Sequence, residues 1–235
     1  EFIEGESIAA RQRGGGLPPE QVFDIVDQLA AAIDAVHAAG LIHGDVRPQN
    51  VLLEQPSGRV VLLDPSVAVD HELEHRRGTI YGELPYLTLE RVRGEPDVPS
   101  SDTYALALIA YALLTGKPPW SGDPAEIFAG HEEEAPPPIE SRMPGAPPAA
   151  NEVFAMALAK RPADRPATAS ALAAALRAVF TGGGTPRPIQ PPASRPAPSP
   201  LGRSAPSPLG ARTPPPEPPD DEPPEDERTI IVRPR

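Results

Sequence analysis

Apolar residues near the start of the chain recur every three or four positions. The stripe consists of Val22, Ile25, Val26, Leu29, Ile33 and Val36. This spacing places them on one side of a helix, so the pattern predicts an amphipathic helix with a buried face. We expect the helix to begin at Pro18-Pro19-Glu20, since a first turn tolerates proline and favours an acidic side chain. Gly40 is the residue expected to end it.

A second apolar run, over residues 104–114, has almost no polar face. A helix that is apolar on all sides is buried inside a domain. The sequence Ser-Ser-Asp at 100–102 supplies capping residues for its start, and Gly116 predicts its end. Shorter helices are predicted over residues 123–131, 152–160 and 168–180, with an acidic, proline-rich loop over residues 132–148.

Two short apolar runs, Val51–Leu53 and Val60–Leu63, flank the turn-forming sequence Gln55-Pro56-Ser57-Gly58. Runs of this length separated by turn residues predict a β-hairpin. The predicted fold class is therefore mainly α, a helical bundle with a small β-hairpin.

Side chains with oxygen ligands flank this hairpin. Asp45 and Asn50 precede its first strand, and Asp64 follows its second strand. Because a hairpin brings the loop before its first strand close to the end of its second, we expect the three side chains to converge. Their oxygens suit Mg²⁺, which usually keeps substrate phosphates and water as further ligands. A spare carboxylate beside such a metal can accept a proton from a hydroxyl group.

Composition limits the classes of function. The chain has 235 residues and no cysteine, which excludes disulfides and thiolate metal sites. Its net charge of −12 falls within residues 1–181, because residues 182–235 hold seven acidic residues and seven arginines. An acidic domain argues against a nucleic-acid surface. The longest apolar run is shorter than the ~20 residues of a membrane helix. No signal peptide is recognised, so we expect a cytoplasmic location.

The last part of the chain differs in composition. Gly182-Gly183-Gly184 marks a boundary, and residues 182–235 contain 17 of the 36 prolines. The sequence Ala-Pro-Ser-Pro-Leu-Gly occurs there twice, at 197–202 and 205–210. Such a composition cannot bury enough apolar surface to offset the entropy lost on ordering. We therefore predict one domain over residues 1–181 and a disordered, extended tail after it.

The hairpin region resembles the catalytic loop of bacterial eukaryotic-like (Hanks-type) serine/threonine protein kinases. The sequence His-Gly-Asp at 43–45, with Asn50 and the later Asp64, is similar to H-R-D-x-x-x-x-N and D-F-G. The resemblance implies that Asp45 is the catalytic base. It also implies that Asn50 and Asp64 hold Mg²⁺ and that Arg47 meets the transferred phosphate.

Three later segments carry the same resemblance. Residues 78–90 align without gaps to G-T-x-x-G-T-P-x-Y-M-A-P-E of the activation segment. Residues 101–120 are similar to S-D-x-Y-A-L-G…L-L-T-G-x-P-P-F, and residues 161–166 to D-P-x-x-R-P. The resemblance thus extends over residues 1–180 and implies the large lobe of the kinase fold.

The resemblance also implies supporting roles. Asp102 is expected to accept hydrogen bonds from the backbone of the catalytic loop, although a plain helix N-cap fits the same residue. Glu90 and Arg165 are expected to form a buried, bidentate ion pair. His43 is expected to serve packing and hydrogen bonding rather than catalysis.

Kinases of this family use ATP and Mg²⁺ to phosphorylate protein substrates. The resemblance places the adenine at the hinge backbone near Glu1 and Ile3 and beside Leu52. The chain starts at Glu1 rather than at a methionine, so we expect a fragment. The glycine-rich loop and the strand lysine of the small lobe do not occur in it. A large lobe alone is expected to be a very poor catalyst, because phosphoryl transfer depends on positioning and electrostatic stabilisation.

Departures from the family pattern leave two other functions open. Gly44 replaces the arginine of H-R-D, Pro65-Ser66 replaces Phe-Gly, and Glu83 stands where the family has a threonine that contacts the catalytic Asp. These changes fit a pseudokinase that acts as a binding or regulatory module. A small-molecule phosphotransferase of the aminoglycoside-kinase type carries H-G-D-x-x-x-x-N, as residues 43–50 do, but that family lacks the later segments.

Two threonines are candidate phosphorylation sites. Thr79 lies in the activation segment. Because Gly44 cannot bind a phosphate on this segment as the family's arginine does, we expect activation without phosphorylation of the segment. Thr229 with Val232 fits the phosphothreonine pattern read by forkhead-associated domains, which would make the end of the tail a docking peptide. A frayed terminus or an edge strand of a further domain fits the same residues.

Overall fold

The computed structural model describes residues 3–63 and 83–182. Within these ranges the chain forms seven α-helices and one small sheet. The helices are α1 (Ile8–Gln12), α2 (Pro19–Ala38), α3 (Leu89–Arg93), α4 (Pro99–Thr115), α5 (Pro124–Glu132), α6 (Ala149–Ala157) and α7 (Ala169–Phe180). The strands are β1 (Gly5–Ser7), β2 (Val51–Glu54) and β3 (Val60–Leu62). This mainly helical architecture confirms the predicted fold class.

Several expectations fall on other parts of the chain. The residues and range concerned are Glu1, Asp64, Thr79, Thr229 and 183–235, all outside the described residues. The division into a domain and a tail therefore stays a prediction. Among the helices that the structure describes, none has the length and apolar character needed to cross a membrane.

Helix α2 forms where the apolar stripe predicts it. It begins at Pro19 after the N-cap Pro18, and Glu20 lies in its first turn. The stripe is buried except for Val36, which stays partly exposed, and the helix packs against α4 and α7. Gly40 follows the helix with a φ of 77°, a left-handed conformation that glycine adopts without strain.

Helix α4 lies at the centre of the domain. Every residue from 101 to 114 is buried, as expected from a sequence that is apolar on nearly all sides. Helices α2, α6 and α7 pack around it. The helix begins at Pro99 with Val98 as its N-cap, so the start expected at the Ser-Ser-Asp sequence is wrong by a few residues. Ser101 Oγ instead accepts a hydrogen bond from the Val98 N–H at 2.9 Å, from inside the first turn.

The sheet has three antiparallel strands in the order β1-β2-β3. Strands β2 and β3 form the predicted hairpin, and β1 is an additional strand that corrects the expectation of a hairpin alone. Its sequence, Gly-Glu-Ser, contains no β-branched or aromatic residue that would favour a strand. Gly5 fits this position because a Cβ atom there would collide with the Leu53 carbonyl oxygen.

Helix α3 has no counterpart in the sequence prediction. Thr88 caps its start by accepting a hydrogen bond from the Arg91 N–H at 3.3 Å. Gly94 ends it in a left-handed conformation with a φ of 69°. A helix this short has too few turns for an apolar period to show in the sequence. It matters for the site because its buried residues include Glu90.

The helix expected over residues 152–160 is displaced. Helix α6 begins at Ala149 and ends at Ala157. Lys160 lies beyond its end, where Nζ donates hydrogen bonds to the carbonyl oxygens of Gly130 and His131 at 2.8 and 2.7 Å. These contacts with α5 hold the chain in a non-helical path, which local propensity does not reveal.

His131, near the end of α5, connects three elements. Its Nδ1 lies 2.8 Å from the Tyr104 hydroxyl of α4, and its Nε2 lies 3.2 Å from the Leu84 carbonyl oxygen. Because a carbonyl oxygen only accepts hydrogen bonds, Nε2 carries the proton and Nδ1 accepts from the tyrosine hydroxyl. The residue is fully buried, and this burial lowers the pKa of His131 to about 4.

We expect part of the free energy of unfolding to be lost as the pH falls from 6.5 towards about 4. The imidazole of His131 takes up a proton near pH 6.5 in the unfolded chain but only near pH 4 in the folded domain. Below pH 6.5 the unfolded state therefore binds the additional proton, which favours unfolding by about 3 kcal/mol over the window. Denaturant unfolding measured across this pH range checks the prediction.

His131→Gln is the matched variant for this measurement, because glutamine keeps one donor and one acceptor but does not titrate. Subtracting its pH profile from that of the parent removes the contribution of carboxylates that titrate in the same range. Two superimposable profiles would show that His131 does not contribute to the pH dependence.

Candidate active site

The loop over residues 43–50 is fixed at both ends. Gly44 adopts a φ of 73°, and Val46 and Pro48 are buried. A 3₁₀ turn over Pro48–Asn50 leads directly into β2. The loop therefore presents the side chains of Asp45, Arg47 and Asn50 from a backbone that the core and the sheet hold in place.

Asp45 and Asn50 lie together, as the hairpin predicts. Asn50 Nδ2 donates hydrogen bonds to the Asp45 carbonyl oxygen at 3.0 Å and to its Oδ2 at 2.6 Å. Arg47 Nε lies 3.3 Å from the same Oδ2 without forming a hydrogen bond, and Arg91 NH1 lies 3.9 Å from Oδ1. One carboxylate thus has an amide donor and two guanidinium groups around it.

His43 joins the loop to the end of β3. Its Nε2 donates to the Leu63 carbonyl oxygen at 3.0 Å, and its Nδ1 accepts from the Asp45 N–H at 3.2 Å. Burial lowers the pKa of His43, although the nearby carboxylates act in the opposite direction. The Leu63 N–H donates to the Asn50 carbonyl oxygen at 2.7 Å. These bonds bring the last described residue before Asp64 beside Asn50.

Asp102 of α4 holds the start of the loop. Its Oδ2 accepts hydrogen bonds from the His43 N–H at 2.9 Å and from His37 Nε2 at 2.7 Å, and its Oδ1 accepts from the Gly44 N–H at 2.8 Å. Asp102 is 1% exposed and lies inside the helix rather than at its N-cap. The plain capping role considered for this residue is therefore wrong, and its carboxylate faces the loop.

We expect Asp102→Asn to lower the free energy of unfolding by about 2–3 kcal/mol, as for a lost hydrogen bond to a charged group. An amide replaces one acceptor oxygen with an N–H₂ group that faces a buried N–H donor. Denaturant unfolding measures the change. Asp164→Asn is the control, because the Asp164 side chain is 53% exposed. Equal stability of the two variants would mean that the loop is held by other contacts.

Glu90 and Arg165 form a buried ion pair. Arg165 NH1 and NH2 donate to Glu90 Oε2 and Oε1 at 3.1 and 2.8 Å. The guanidinium also donates to the carbonyl oxygens of Ala159 and Ser100 and lies 4.6 Å from the centre of the Tyr104 ring. The pair ties α3 to the turn at 162–164, and the two partners are only 2% exposed.

The residues expected near the adenine lie at the small sheet. Ile3 is partly buried and comes two residues before β1. Leu52 lies in β2, where it is paired with Ser7 and Val61. It is partly exposed because it points away from the face that buries its neighbours in the strand. Leu52 follows the loop over residues 43–50 by two positions, and its strand pairs with β1, which begins two residues after Ile3.

Arg91 is a site residue that the sequence analysis did not identify. Its Nε donates to Asp97 Oδ2 at 3.0 Å, and its NH1 approaches Asp45. Together with Arg47 and Glu83 it lines a cavity of about 10 Å³ beside Asp45, which is room for about one water molecule. Arg91 lies outside every recognised motif, and no spacing rule connects it to the loop.

The model of the protein kinase domain matches residues 1–176. This chain belongs to the protein kinase domain family. The match covers every described site residue and includes the loop, α4 and the turn that carries Arg165.

Relatives of the kinase domain include bacterial serine/threonine-protein kinases. The domain is similar to the serine/threonine-protein kinase PknA of Mycobacterium tuberculosis, with 35% identity over 196 residues, 82% of this chain and 44% of the relative. It is also similar to the serine/threonine-protein kinases drp72 of Corynebacterium efficiens, with 34% identity over 195 residues, 81% of this chain and 37% of the relative. The chain thus spans less than half the length of these relatives.

A solved structure agrees with the fold of the kinase domain. The crystal structure of the Mycobacterium tuberculosis PknI kinase domain matches with a TM-score of 0.58 and 27% identity. The match covers 75% of this chain and 63% of that chain. Together with the family match, this confirms the resemblance stated from the motifs.

Proposed function

We propose that this kinase domain transfers a phosphoryl group from Mg²⁺·ATP to a serine or threonine hydroxyl of a protein. The observation that carries the proposal is the Asp45 carboxylate, held by the Asn50 amide at 2.6 Å and placed beside Arg47. A fixed carboxylate of this kind is suited to orient a hydroxyl group and accept its proton. The relatives named as serine/threonine-protein kinases support the class of acceptor.

Asp45 is the proposed catalytic base, and its neighbours have distinct roles. Asn50 binds Oδ2 and so orients Oδ1 towards the acceptor hydroxyl. Arg47 adds positive charge where negative charge develops on the transferred group. Arg91, whose NH1 lies 3.9 Å from Oδ1, connects the carboxylate to α3. His43 and Asp102 act through the backbone of the loop.

Asn50 is the described residue that supports binding of Mg²⁺. Asn50 donates from Nδ2, which leaves its Oδ1 as an oxygen ligand of the kind that Mg²⁺ prefers. Asp64 is the second proposed ligand, because it follows Leu63, which is hydrogen-bonded to Asn50. When bound, Mg²⁺·ATP supplies the phosphoryl group and the metal cation. The residues proposed to contact the adenine are Glu1, Ile3 and Leu52.

Further properties of the whole protein are proposals that rest on this function. They are a cytoplasmic location, protein substrates, phosphorylation of Thr79, and recognition of phosphorylated Thr229 by a forkhead-associated domain. The sequences around Thr79 and Thr229 support the two phosphorylation proposals, and the relatives named as serine/threonine-protein kinases support protein substrates.

A pseudokinase is the second candidate function. Glu83 lines the cavity beside Asp45 and adds a carboxylate close to where the acceptor hydroxyl has to approach. Gly44 carries no side chain that could bind a loop phosphate. Under this alternative the domain would bind a nucleotide or a protein partner without phosphoryl transfer.

The test is a phosphoryl-transfer assay on the full-length protein that carries these residues. With Mg²⁺ and ATP labelled on its γ-phosphate, we expect label on serine and threonine of a protein acceptor and none after chelation of the metal. Label on an aminoglycoside instead would assign the small-molecule reaction. Nucleotide binding without transfer to any acceptor would establish the pseudokinase.

A further inference from the structure

A groove of about 550 Å³ lies beside α5, and none of its lining residues belongs to the catalytic loop. It is formed by α5, by the loop before α5 and by the loop after it. The apolar part of its lining consists of Pro119, Trp120, Ala125, Ala129 and Pro137. A volume of this size is in the range of sites that bind small molecules or peptide segments. The lining contains no residue given a role in phosphoryl transfer.

Trp120 is the aromatic residue of this groove. Its ring packs so closely on Gly130 of α5 that a Cβ atom there would collide with it. Lys160 Nζ lies 4.5 Å from the ring centre, and the His131 ring lies 4.9 Å from it. The indole is therefore fixed in one orientation by α5 and by the chain that follows α6. Trp120 is 5% exposed.

The Trp120 indole N–H has no hydrogen-bond acceptor within the part of the chain that the structure describes. Buried tryptophan N–H groups usually have a partner, and a buried donor without one carries an energetic cost. An occupant of the groove that brought an acceptor to this N–H would remove that cost.

Carboxylates determine the charge of the groove. Glu126 and Glu134 both line it and are exposed. Arg142 also lines it, but its guanidinium donates to the carbonyl oxygens of Pro118 and Pro119 at 2.6 and 3.0 Å. Two carboxylates and one guanidinium give the lining a net charge of −1, which favours a ligand that combines apolar residues with a cation.

The same chain contains such a ligand. The two copies of Ala-Pro-Ser-Pro-Leu-Gly are parts of a tandem repeat Arg-x-Ala-Pro-Ser-Pro-Leu-Gly over residues 195–202 and 203–210. Residues 183–213 hold four arginines and no acidic residue. Proline-rich sequences of this type favour the polyproline II conformation, which leaves backbone carbonyl oxygens unpaired and binds grooves lined by aromatic residues.

We propose that this groove binds the Arg-x-Ala-Pro-Ser-Pro-Leu-Gly repeats of its own chain. The prolines and the leucine pack on the wall around Trp120, and a backbone carbonyl oxygen accepts from the indole N–H. Arg195 or Arg203 pairs with the carboxylates of Glu126 and Glu134. Two adjacent copies let either one occupy the site.

The length of the tail permits this contact. At ~3.1 Å per residue, the segment from Gly182 to Arg195 covers about 40 Å when extended. The radius of gyration of a domain of this size is about 16 Å, so the tether to the first repeat is comparable to the diameter of the domain and lets the repeats reach surfaces distant from the end of α7. Because the repeats are tethered, their effective concentration at the groove is in the millimolar range, and a weak site is sufficient.

Trp120 itself is the probe for the test, because it is the only tryptophan in the chain. A ¹H–¹⁵N spectrum of the full chain shows one indole N–H signal, and its exchange with solvent is measured. In the variant Arg195→Glu with Arg203→Glu we expect the signal to shift. We also expect the indole N–H of the variant to exchange with solvent about tenfold faster than that of the parent. This factor applies if the contact is formed in about nine of ten parent molecules and protects the N–H while it is formed. Arg228→Glu with Arg233→Glu makes the same charge change elsewhere in the tail and should have no effect.

Two further measurements, a charge reversal in the groove and a dilution series, show whether the repeats of the same chain or of a second copy occupy the groove. Adding Glu134→Lys to the double variant restores attraction between groove and repeats, and should recover slow exchange. If the parent and both arginine variants show the same indole signal and exchange rate, the groove does not bind the repeats. If the difference disappears on dilution, the occupant comes from a second copy of the chain, and the intramolecular proposal is overturned.

Discussion

Replacing Asp45 by Asn in the full-length protein is expected to lower the rate of phosphoryl transfer by about 10²–10⁴-fold, the usual contribution of a general base. An amide has nearly the same shape as the carboxylate but cannot take the proton of the acceptor hydroxyl. Asn50 can still donate to the remaining oxygen, so the loop should keep its conformation. The measurement is the initial rate at saturating Mg²⁺·ATP and protein acceptor.

The control for this variant is Asp123→Asn. Asp123 caps α5 by accepting a hydrogen bond from the Glu126 N–H at 2.9 Å, a role that asparagine fills equally well. It should transfer phosphate at the parental rate. The affinity for ATP should be similar in all three proteins, because the proposed role of Asp45 concerns the acceptor. A rate for Asp45→Asn close to that of the parent would remove Asp45 from the role of base.

Arg165→Ala is expected to lower the free energy of unfolding by about 3–5 kcal/mol, as for breaking one side of a buried ion pair. The substitution leaves Glu90 buried, with Ser101 Oγ as its remaining side-chain hydrogen-bond partner among the described residues. It also leaves the carbonyl oxygens of Ala159 and Ser100 without their donor. Denaturant unfolding followed by circular dichroism measures the change.

Arg161→Ala provides a matched control from the same short segment. The Arg161 side chain is 79% exposed and pairs with Asp164 at 3.6 Å. Exposed ion pairs contribute about 0–1 kcal/mol, so this variant should unfold close to the parent. Similar unfolding of both arginine variants would show that burial of the Glu90 pair adds nothing to stability.

The long elements could be predicted because the pattern of apolar residues within each of them shows which residues are buried. The period of α2 and the uniformly apolar run of α4 identify their faces without knowledge of their neighbours. Strand β1 could not be predicted because a contact distant in sequence decides it, and helix α3 could not because it is too short for an apolar period to show. Gly5 is in β1 because it pairs with Glu54, and the end of α6 depends on what Lys160 contacts in α5.

The site residues also divide into those that the local sequence predicts and those that it does not. The spacing from Asp45 to Asn50, with the hairpin that follows, was sufficient to place these two side chains together. The bonds from the loop backbone to Asp102 were predicted from the resemblance of its own segment to the family, whereas the bond from His37 was not predicted. Arg91 was missed because it reaches Asp45 from α3, and no local pattern relates the two. The position of Asp64 stays a prediction.

The hydrogen bonds that Asp102 accepts also determine how the loop over residues 43–50 can open. The N–H groups of His43 and Gly44 both donate to a side chain rooted in the most deeply buried helix of the domain. Releasing either N–H takes a hydrogen-bond partner away from a charged group in the core. The loss is energetically costly as long as α4 stays folded. The loop and the central helix should therefore belong to one cooperative unit of folding. Local disorder at the Asp45 carboxylate would then accompany only the melting of the whole domain.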